Sequence, residues 1–81
     1  MRYLNGEEAH LGDKVAIGNS AEGEIVCSID TDEFSPEYPK AHWQYLNRGV
    51  LVNFSKFGLI HYEEPEPGLR FVQRASLRLE K

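Results

Sequence analysis

The side chains best suited to covalent chemistry are the thiol of the single cysteine, Cys27, and several carboxylates that lie close together in the sequence. A cysteine acts as a nucleophile when a neighbouring base holds it as the thiolate, and His61 is a candidate base. However, Cys27 lies in an apolar stretch, and the alternation of a strand would place Ile25, Cys27 and Ile29 on one face, toward the core. A buried cysteine of this kind is normally inert. We therefore predict that the protein is not an enzyme.

Paired carboxylates are a second source of chemistry, because two neighbouring acids can act as general acid and general base. Glu63 and Glu64 are adjacent, and Asp30 and Asp32 are two residues apart. Hydrolysis also needs a cleft that shifts the pKa values of such a pair, and a small domain with a filled interior rarely contains one. A small enzyme that uses Cys27 or one of these pairs is kept as an alternative to a non-catalytic protein.

Metal and cofactor sites are not expected in this chain. The three histidines, His10, His42 and His61, form no closely spaced pair, and one cysteine permits neither a Cys-pair zinc site nor an internal disulfide. Residues 30–33 resemble the start of a calcium loop, but no glycine follows at its sixth position. Glycine-rich phosphate loops do not occur either. The sequence therefore predicts no metal and no cofactor.

Aromatic and acidic side chains are concentrated in residues 30–49. Tyrosine and tryptophan join an apolar body to a polar tip and are frequent in binding surfaces. We predict that this segment, with one tyrosine from a neighbouring strand, contacts a basic protein through an acidic rim. The alternative is that the aromatic side chains close one end of the fold. The predicted contact residues are Phe34, Tyr38, Trp43, Tyr45 and Tyr62, with Asp32, Glu33 and Glu37 as the rim.

Charge is distributed unevenly along the 81 residues. The net charge is −4, but residues 1–66 contain twelve acids and five bases, whereas residues 67–81 contain one acid and four bases. An acidic chain repels the phosphate backbone, which argues against nucleic acid as the partner. The C-terminal bases Arg70, Arg74 and Arg78 nevertheless leave open an alternative in which the protein binds single-stranded RNA.

The sequence also bears on the compartment. It contains no apolar run of the roughly 20 residues that a membrane helix needs, and residues 1–11 lack the basic start and apolar stretch of a signal peptide. A single cysteine is typical of a reducing environment. We therefore expect a cytoplasmic protein that has no membrane contact.

Turn-forming residues divide the chain into short apolar stretches, which is the pattern of an all-β domain. Strands are predicted at residues 14–17, 24–29, 50–54, 59–62 and 69–74. A short helix is predicted at residues 40–46, with Pro39 at its first position and with Trp43 and Leu46 docking it on the strands.

We expect a single domain over residues 1–81. Its core would span about residues 12–74, an insertion between the second and third strands would occupy residues 30–49, and residues 75–81 would form a C-terminal tail. An edge strand near the C-terminus and an exposed aromatic surface permit a dimer without requiring one.

Two glycine-containing segments near the start of the chain have a distinctive pattern. Residues 12–18 read Gly-Asp-Lys-Val-Ala-Ile-Gly, and residues 22–28 read Glu-Gly-Glu-Ile-Val-Cys-Ser. This pattern resembles the opening of SH3-like small barrels of the KOW and Tudor type, and the resemblance extends more loosely to residues 49–62. It implies a mainly β, five-stranded barrel with the short helix in its insertion. Members of this group bind RNA, proline-rich peptides, methylated lysine or other proteins.

The insertion at residues 30–49 and the acidic balance depart from the KOW pattern, and both argue against RNA. Residues 3–8, 49–54 and 58–62 are also similar in style to small bacterial proteins, some of which are thought to be immunity proteins against toxins. We therefore predict a non-catalytic protein-binding module with an adaptor or immunity-like role.

Overall fold

The computed structural model describes residues 1–18 and 21–74, and its regular structure is mainly β. The strands are β1 (Lys14–Ile17), β2 (Ala21–Ser28), β3 (Glu33–Phe34), β4 (Val50–Phe54), β5 (Gly58–Tyr62) and β6 (Leu69–Gln73). A short helix, α1 (Lys40–Trp43), and a 3₁₀ turn (Gln44–Leu46) lie between β3 and β4. In the part of the chain that the structure describes, no helix is long and apolar enough to cross a membrane.

All the strands pair antiparallel in one open sheet. The strand order is β5-β4-β2-β1-β6, and β3 pairs with the end of β2. The predicted mainly β fold is therefore confirmed. The predicted closed barrel of five strands differs from the described sheet, in which β5 and β6 lie at opposite edges. A barrel closes only when tilt and stagger bring its two edges into hydrogen-bonding register, and short apolar stretches in a sequence do not define that stagger.

Several strands lie where the sequence predicts them. β1 and β4 have the predicted bounds, and β4 and β5 form the predicted hairpin. β2 is longer than expected, because it begins at Ala21 and not at Glu24. β3 was not predicted, since a two-residue strand has no periodicity of its own.

The hydrophobic core combines side chains from five strands with residues that precede β1. The N-terminal segment, which lies outside the predicted core range of 12–74, contributes Met1, Tyr3 and Ala9. The Tyr3 hydroxyl donates a hydrogen bond of 2.7 Å to the carboxylate of Asp13, which is completely buried. This bond ties the N-terminal segment to the residue just before β1.

A β-bulge at Val26 determines which side chains of β2 share a face. Ile25 pairs with Val52, but Cys27 pairs with Leu51, so Val26 has no partner in β4. Paired residues lie on the same face, and consecutive residues of β4 point to opposite faces, so Ile25 and Cys27 are on opposite sides of the sheet. The alternation predicted for these two residues is therefore wrong. Cys27 is nevertheless completely buried.

No residue in the helix of the insertion is fully buried. Pro39 is the N-cap residue, just before the helix begins at Lys40, and not the first helical residue as predicted. Asn47 follows the 3₁₀ turn with a φ of 72°. Trp43 and Leu46 are half-buried and lie outside the core cluster. The predicted docking of the helix through these two residues therefore does not extend to the core cluster.

Candidate partner-binding surface

Three aromatic side chains of the insertion form a row outside the core. The ring centroids of Tyr38 and Trp43 are 5.7 Å apart, and those of Trp43 and Tyr45 are 6.2 Å apart in a stacked arrangement. Tyr45 is 68% exposed, so this end of the row faces solvent. We call Tyr38, Trp43 and Tyr45 the aromatic row.

Short-range contacts fix the position of this row. The Ser35 hydroxyl donates a hydrogen bond of 2.8 Å to the carbonyl oxygen of Val26, at the bulge of β2. The backbone N–H of Tyr38 donates to the Ser35 carbonyl oxygen at 3.0 Å, which closes a tight turn. Pro39 then begins the helix that carries Trp43, because its fixed φ suits the entry to a helix. The row is thus anchored to β2 through one turn.

The two other predicted aromatic contacts lie elsewhere. Phe34 belongs to β3, where it pairs with Cys27 and is half-buried. Tyr62 is only 9% exposed and packs edge-to-face on Phe54 in the core, with 6.4 Å between ring centroids. The structure therefore brings together three of the five predicted aromatic residues.

The predicted acidic rim divides into residues with different neighbours. The carboxylate of Asp32 lies 2.9 Å from the Lys40 ammonium group. Glu33 accepts hydrogen bonds from the Thr31 hydroxyl at 2.7 Å and the Leu11 backbone N–H at 3.1 Å. Glu37 instead lines a groove beside the aromatic row. Of the three, Glu37 is the residue best placed to meet a partner.

Glu33 has an altered pKa because of these contacts. Its burial acts to raise the pKa, but the hydrogen bonds from Thr31, Leu11 and His10 and the charge of His10 outweigh this effect, so the pKa lies below its ordinary value. The Nδ1 atom of His10 is 3.0 Å from the carboxylate. Glu33 therefore holds the start of β3 to the loop before β1.

The groove has a volume of about 540 Å³ and lies between the insertion and the strands β1, β2 and β4. Tyr38 belongs to both the aromatic row and the groove lining. The charged side chains of the lining are three carboxylates and one ammonium group, those of Glu22, Glu24, Glu37 and Lys14. The Lys14 ammonium group is 2.9 Å from the Glu24 carboxylate. Within residues 1–18 and 21–74, Glu22 and Glu37 form no ion pair.

Glu22 and Glu24 were not among the predicted contact residues. They occupy alternate positions in β2, so they lie on the same face of that strand. This spacing is a usable signal, but the predicted acidic rim included only residues between positions 30 and 49. Only the pairing of β2 with its neighbours and the position of the insertion show that both residues border a groove with Glu37.

The C-terminal arginines are engaged by the protein itself where the structure describes them. Arg74 lies 3.1 Å from the carboxylate of Glu7 and 3.5 Å from that of Asp13, and its guanidinium is 5.1 Å from the centroid of the Phe71 ring. Arg70 donates a hydrogen bond to the carbonyl oxygen of Gly18. Arg78 lies outside the described residues. These contacts do not favour a phosphate-binding role.

The arrangement around Cys27 is unlike that of a catalytic thiol. Burial raises the pKa of the thiol, although a hydrogen bond with the Leu51 backbone opposes the effect. His61 pairs with Leu51, which pairs with Cys27, so two strand spacings, about 10 Å, separate the two backbones. The Nε2 atom of His61 is 2.8 Å from the carbonyl oxygen of Arg48.

The paired carboxylates are also occupied. Glu63 and Glu64 both lie near the Arg48 guanidinium, at 3.4 and 3.2 Å, and Asp30 contacts the amino group of Met1. Among the residues that the structure describes, no three histidine, cysteine or acidic side chains are grouped to hold a metal ion.

No protein-family model, no curated protein and no solved structure matches this chain. A functional interpretation therefore depends on the side chains and on their arrangement.

Proposed function

We propose that this protein is a non-catalytic binding module that holds a basic segment of another protein on the aromatic row. The observation that carries the proposal is the aromatic row itself, which lies outside the core cluster and is exposed at its Tyr45 end. Tyr45 is 68% exposed and stacked on Trp43, which is half-buried. An adaptor and an inhibitor of a basic protein would both use such a surface.

The position of the row supports this proposal over the alternative in which the aromatic residues only close the fold. None of its three members belongs to the core cluster, and no residue of the helix that carries Trp43 is fully buried. Stacked aromatic side chains are large and rigid, and they lose little conformational entropy when a partner covers them. For this reason such residues supply much of the binding energy in protein interfaces.

Charge supports a basic partner. The net charge of the chain is −4, and the groove beside the row contains three carboxylates and one ammonium group. A field of this sign speeds the approach of a cationic segment and repels an acidic one. Association should therefore slow as the salt concentration rises, because salt screens the long-range attraction.

Selection from a displayed library of random peptides, with the native protein as bait, tests this function. We expect the enriched peptides to be basic, and we expect Trp43→Ala to weaken the best one at least about tenfold, since truncated aromatic anchors commonly cost 2 kcal/mol or more. The matched control is Phe57→Ala, because Phe57 is 60% exposed but lies outside the row. Enrichment of acidic peptides, or equal affinities for the two variants, would contradict the proposal.

A further inference from the structure

We propose that the groove between the insertion and β2 receives a lysine or arginine side chain from the bound segment. This inference rests on the proposed function and deepens it, because it assigns a position for one cationic residue of the partner. It adds Glu22 and Glu24, on the sheet, to the surface formed by the insertion.

The lining of the groove suits a long cationic side chain. Its apolar part includes Leu11 and Val26, both half-buried, against which the methylene groups of lysine or arginine can pack. Its polar part includes the Glu22 and Glu37 carboxylates, which approach from β2 and from the insertion. An alkyl stem with a cationic end thus matches both parts of the lining, whereas a phosphate or carboxylate would be repelled.

The protein already holds one ammonium group in this groove. The Nζ atom of Lys14 is 2.9 Å from the Glu24 carboxylate, and both residues line the cavity. This internal pair neutralises the charge of Glu24. No basic group among the described residues forms an ion pair with Glu22 or Glu37. The groove therefore retains two negative charges that a second cation can neutralise.

Tyr38 connects the groove to the rest of the surface. It lines the groove, and its ring centroid is 5.7 Å from that of Trp43. A cation that enters beside Tyr38 also lies near an aromatic face, which attracts cations through the ring quadrupole. A segment that covers the aromatic row can therefore place a basic side chain in the groove without leaving the surface.

An amide NMR titration with N-acetyl-lysine methylamide and N-acetyl-arginine methylamide tests the groove directly. We expect shifts at the amides of residues 22–26 and 37–38, with Kd values in the millimolar range for such small ligands. The uncharged N-acetyl-norleucine methylamide should produce none.

We expect Glu22→Gln combined with Glu37→Gln to weaken binding of the cationic probes roughly three- to thirtyfold, the range for two exposed ion pairs. The matched control is Glu64→Gln combined with Glu66→Gln, which removes the same charge outside the groove.

Lys14→Met provides a test of opposite sign. Without the ammonium group of Lys14, the Glu24 carboxylate becomes available, so the cationic probes should bind several-fold more tightly. A variant that strengthens binding cannot be explained by misfolding. Unchanged or weaker binding by this variant would overturn the inference.

The outcomes separate this inference from the proposed function. If Trp43→Ala no longer binds a selected basic peptide but shows the same amide shifts with the lysine and arginine probes as the wild type, the proposed function and the groove assignment are both supported. If the peptide binds through Trp43 but the Glu22→Gln/Glu37→Gln and Glu64→Gln/Glu66→Gln variants bind it equally, the groove assignment fails and the proposed function stands. If the amides of residues 22–26 shift with neither lysine nor arginine probe, the groove assignment is also overturned.

Discussion

The amino group of Met1 is buried and lies against the carboxylates of Glu8 and Asp30. Burial acts to raise the pKa of Asp30, but hydrogen bonds from the Met1 amino group and the Gly49 backbone, with nearby positive charge, outweigh it and lower the pKa. The pKa of Glu33 is lowered in a similar way by Thr31, Leu11 and His10. Both carboxylates thus join parts of the chain that are distant in sequence, and both do so in their ionised form.

These two carboxylates predict that the protein loses stability in acid. A group whose pKa is lowered by folding contributes stability above its unfolded value, which is about 4 for carboxylic acids, and loses it as the pH falls through the folded value. The free energy of unfolding should therefore decrease from about pH 5 to pH 3. Asp30→Asn combined with Glu33→Gln should flatten this dependence, as measured by urea unfolding at several pH values. Glu37→Gln is the control, and an equally flat profile for that variant would contradict the assignment.

At the scale of elements, β2 organises the molecule. It pairs with β1, β3 and β4, and its bulge places Ile25 in the core and Cys27 on the opposite face. Gly23 permits the close contact between β2 and β4. A Cβ atom at this position would lie 2.7 Å from Cδ1 of Phe54 and 2.9 Å from Cγ1 of Val52.

Replacement of this glycine should therefore be costly. In Gly23→Ala, the added methyl group meets two core side chains and also the Asn53 carbonyl oxygen at 3.0 Å, which belongs to the backbone of β4 and cannot easily move. We expect a loss of about 1–3 kcal/mol in the free energy of unfolding, the usual range for overpacking. Gly68→Ala is the matched control, because its Cβ would meet only Cγ1 of Ile17, at 3.7 Å. Equal stability of the two variants in urea would show that β2 and β4 are not so close.

The whole molecule uses the two faces of its sheet differently. The core cluster, completed by the N-terminal segment, covers one face. On the other face, Cys27 and Leu51 are buried near β3, whereas the charged residues of β1 and β2 border the groove. The insertion therefore covers one part of this face beside β3 and leaves the rest accessible beside its aromatic row.

Because Cys27 is enclosed between β3 and β4, its thiol should react only when the fold opens. We expect labelling by an aromatic disulfide reagent to be at least about a thousandfold slower in the native protein than in the unfolded one, since buried sites react through opening equilibria. The labelling rate should rise with urea in parallel with global unfolding. Rapid labelling of the native protein would instead revive the alternative of an enzyme that uses this thiol.

Much of the local structure could be predicted from the sequence, because it depends on neighbours in the chain. The alternation in residues 50–54 predicted β4, and the glycine-bounded residues 14–17 predicted β1. The same applies to the aromatic residues 38, 43 and 45, whose concentration in one short segment is visible without coordinates.

Other features depend on register between distant segments. The bulge at Val26 exists only in the pairing of β2 with β4, and it moves Cys27 to a face that alternation did not predict. Tyr62 lies in the core because its strand pairs it with the buried Val50 of β4. Glu22 shares a groove with Glu37 because the folded chain brings β2 and the insertion together. The sequence by itself determined the β-rich character, the acidic balance and the aromatic segment. Only the tertiary structure decided which of these side chains meet, because a shift of one residue in strand pairing exchanges the two faces of a sheet.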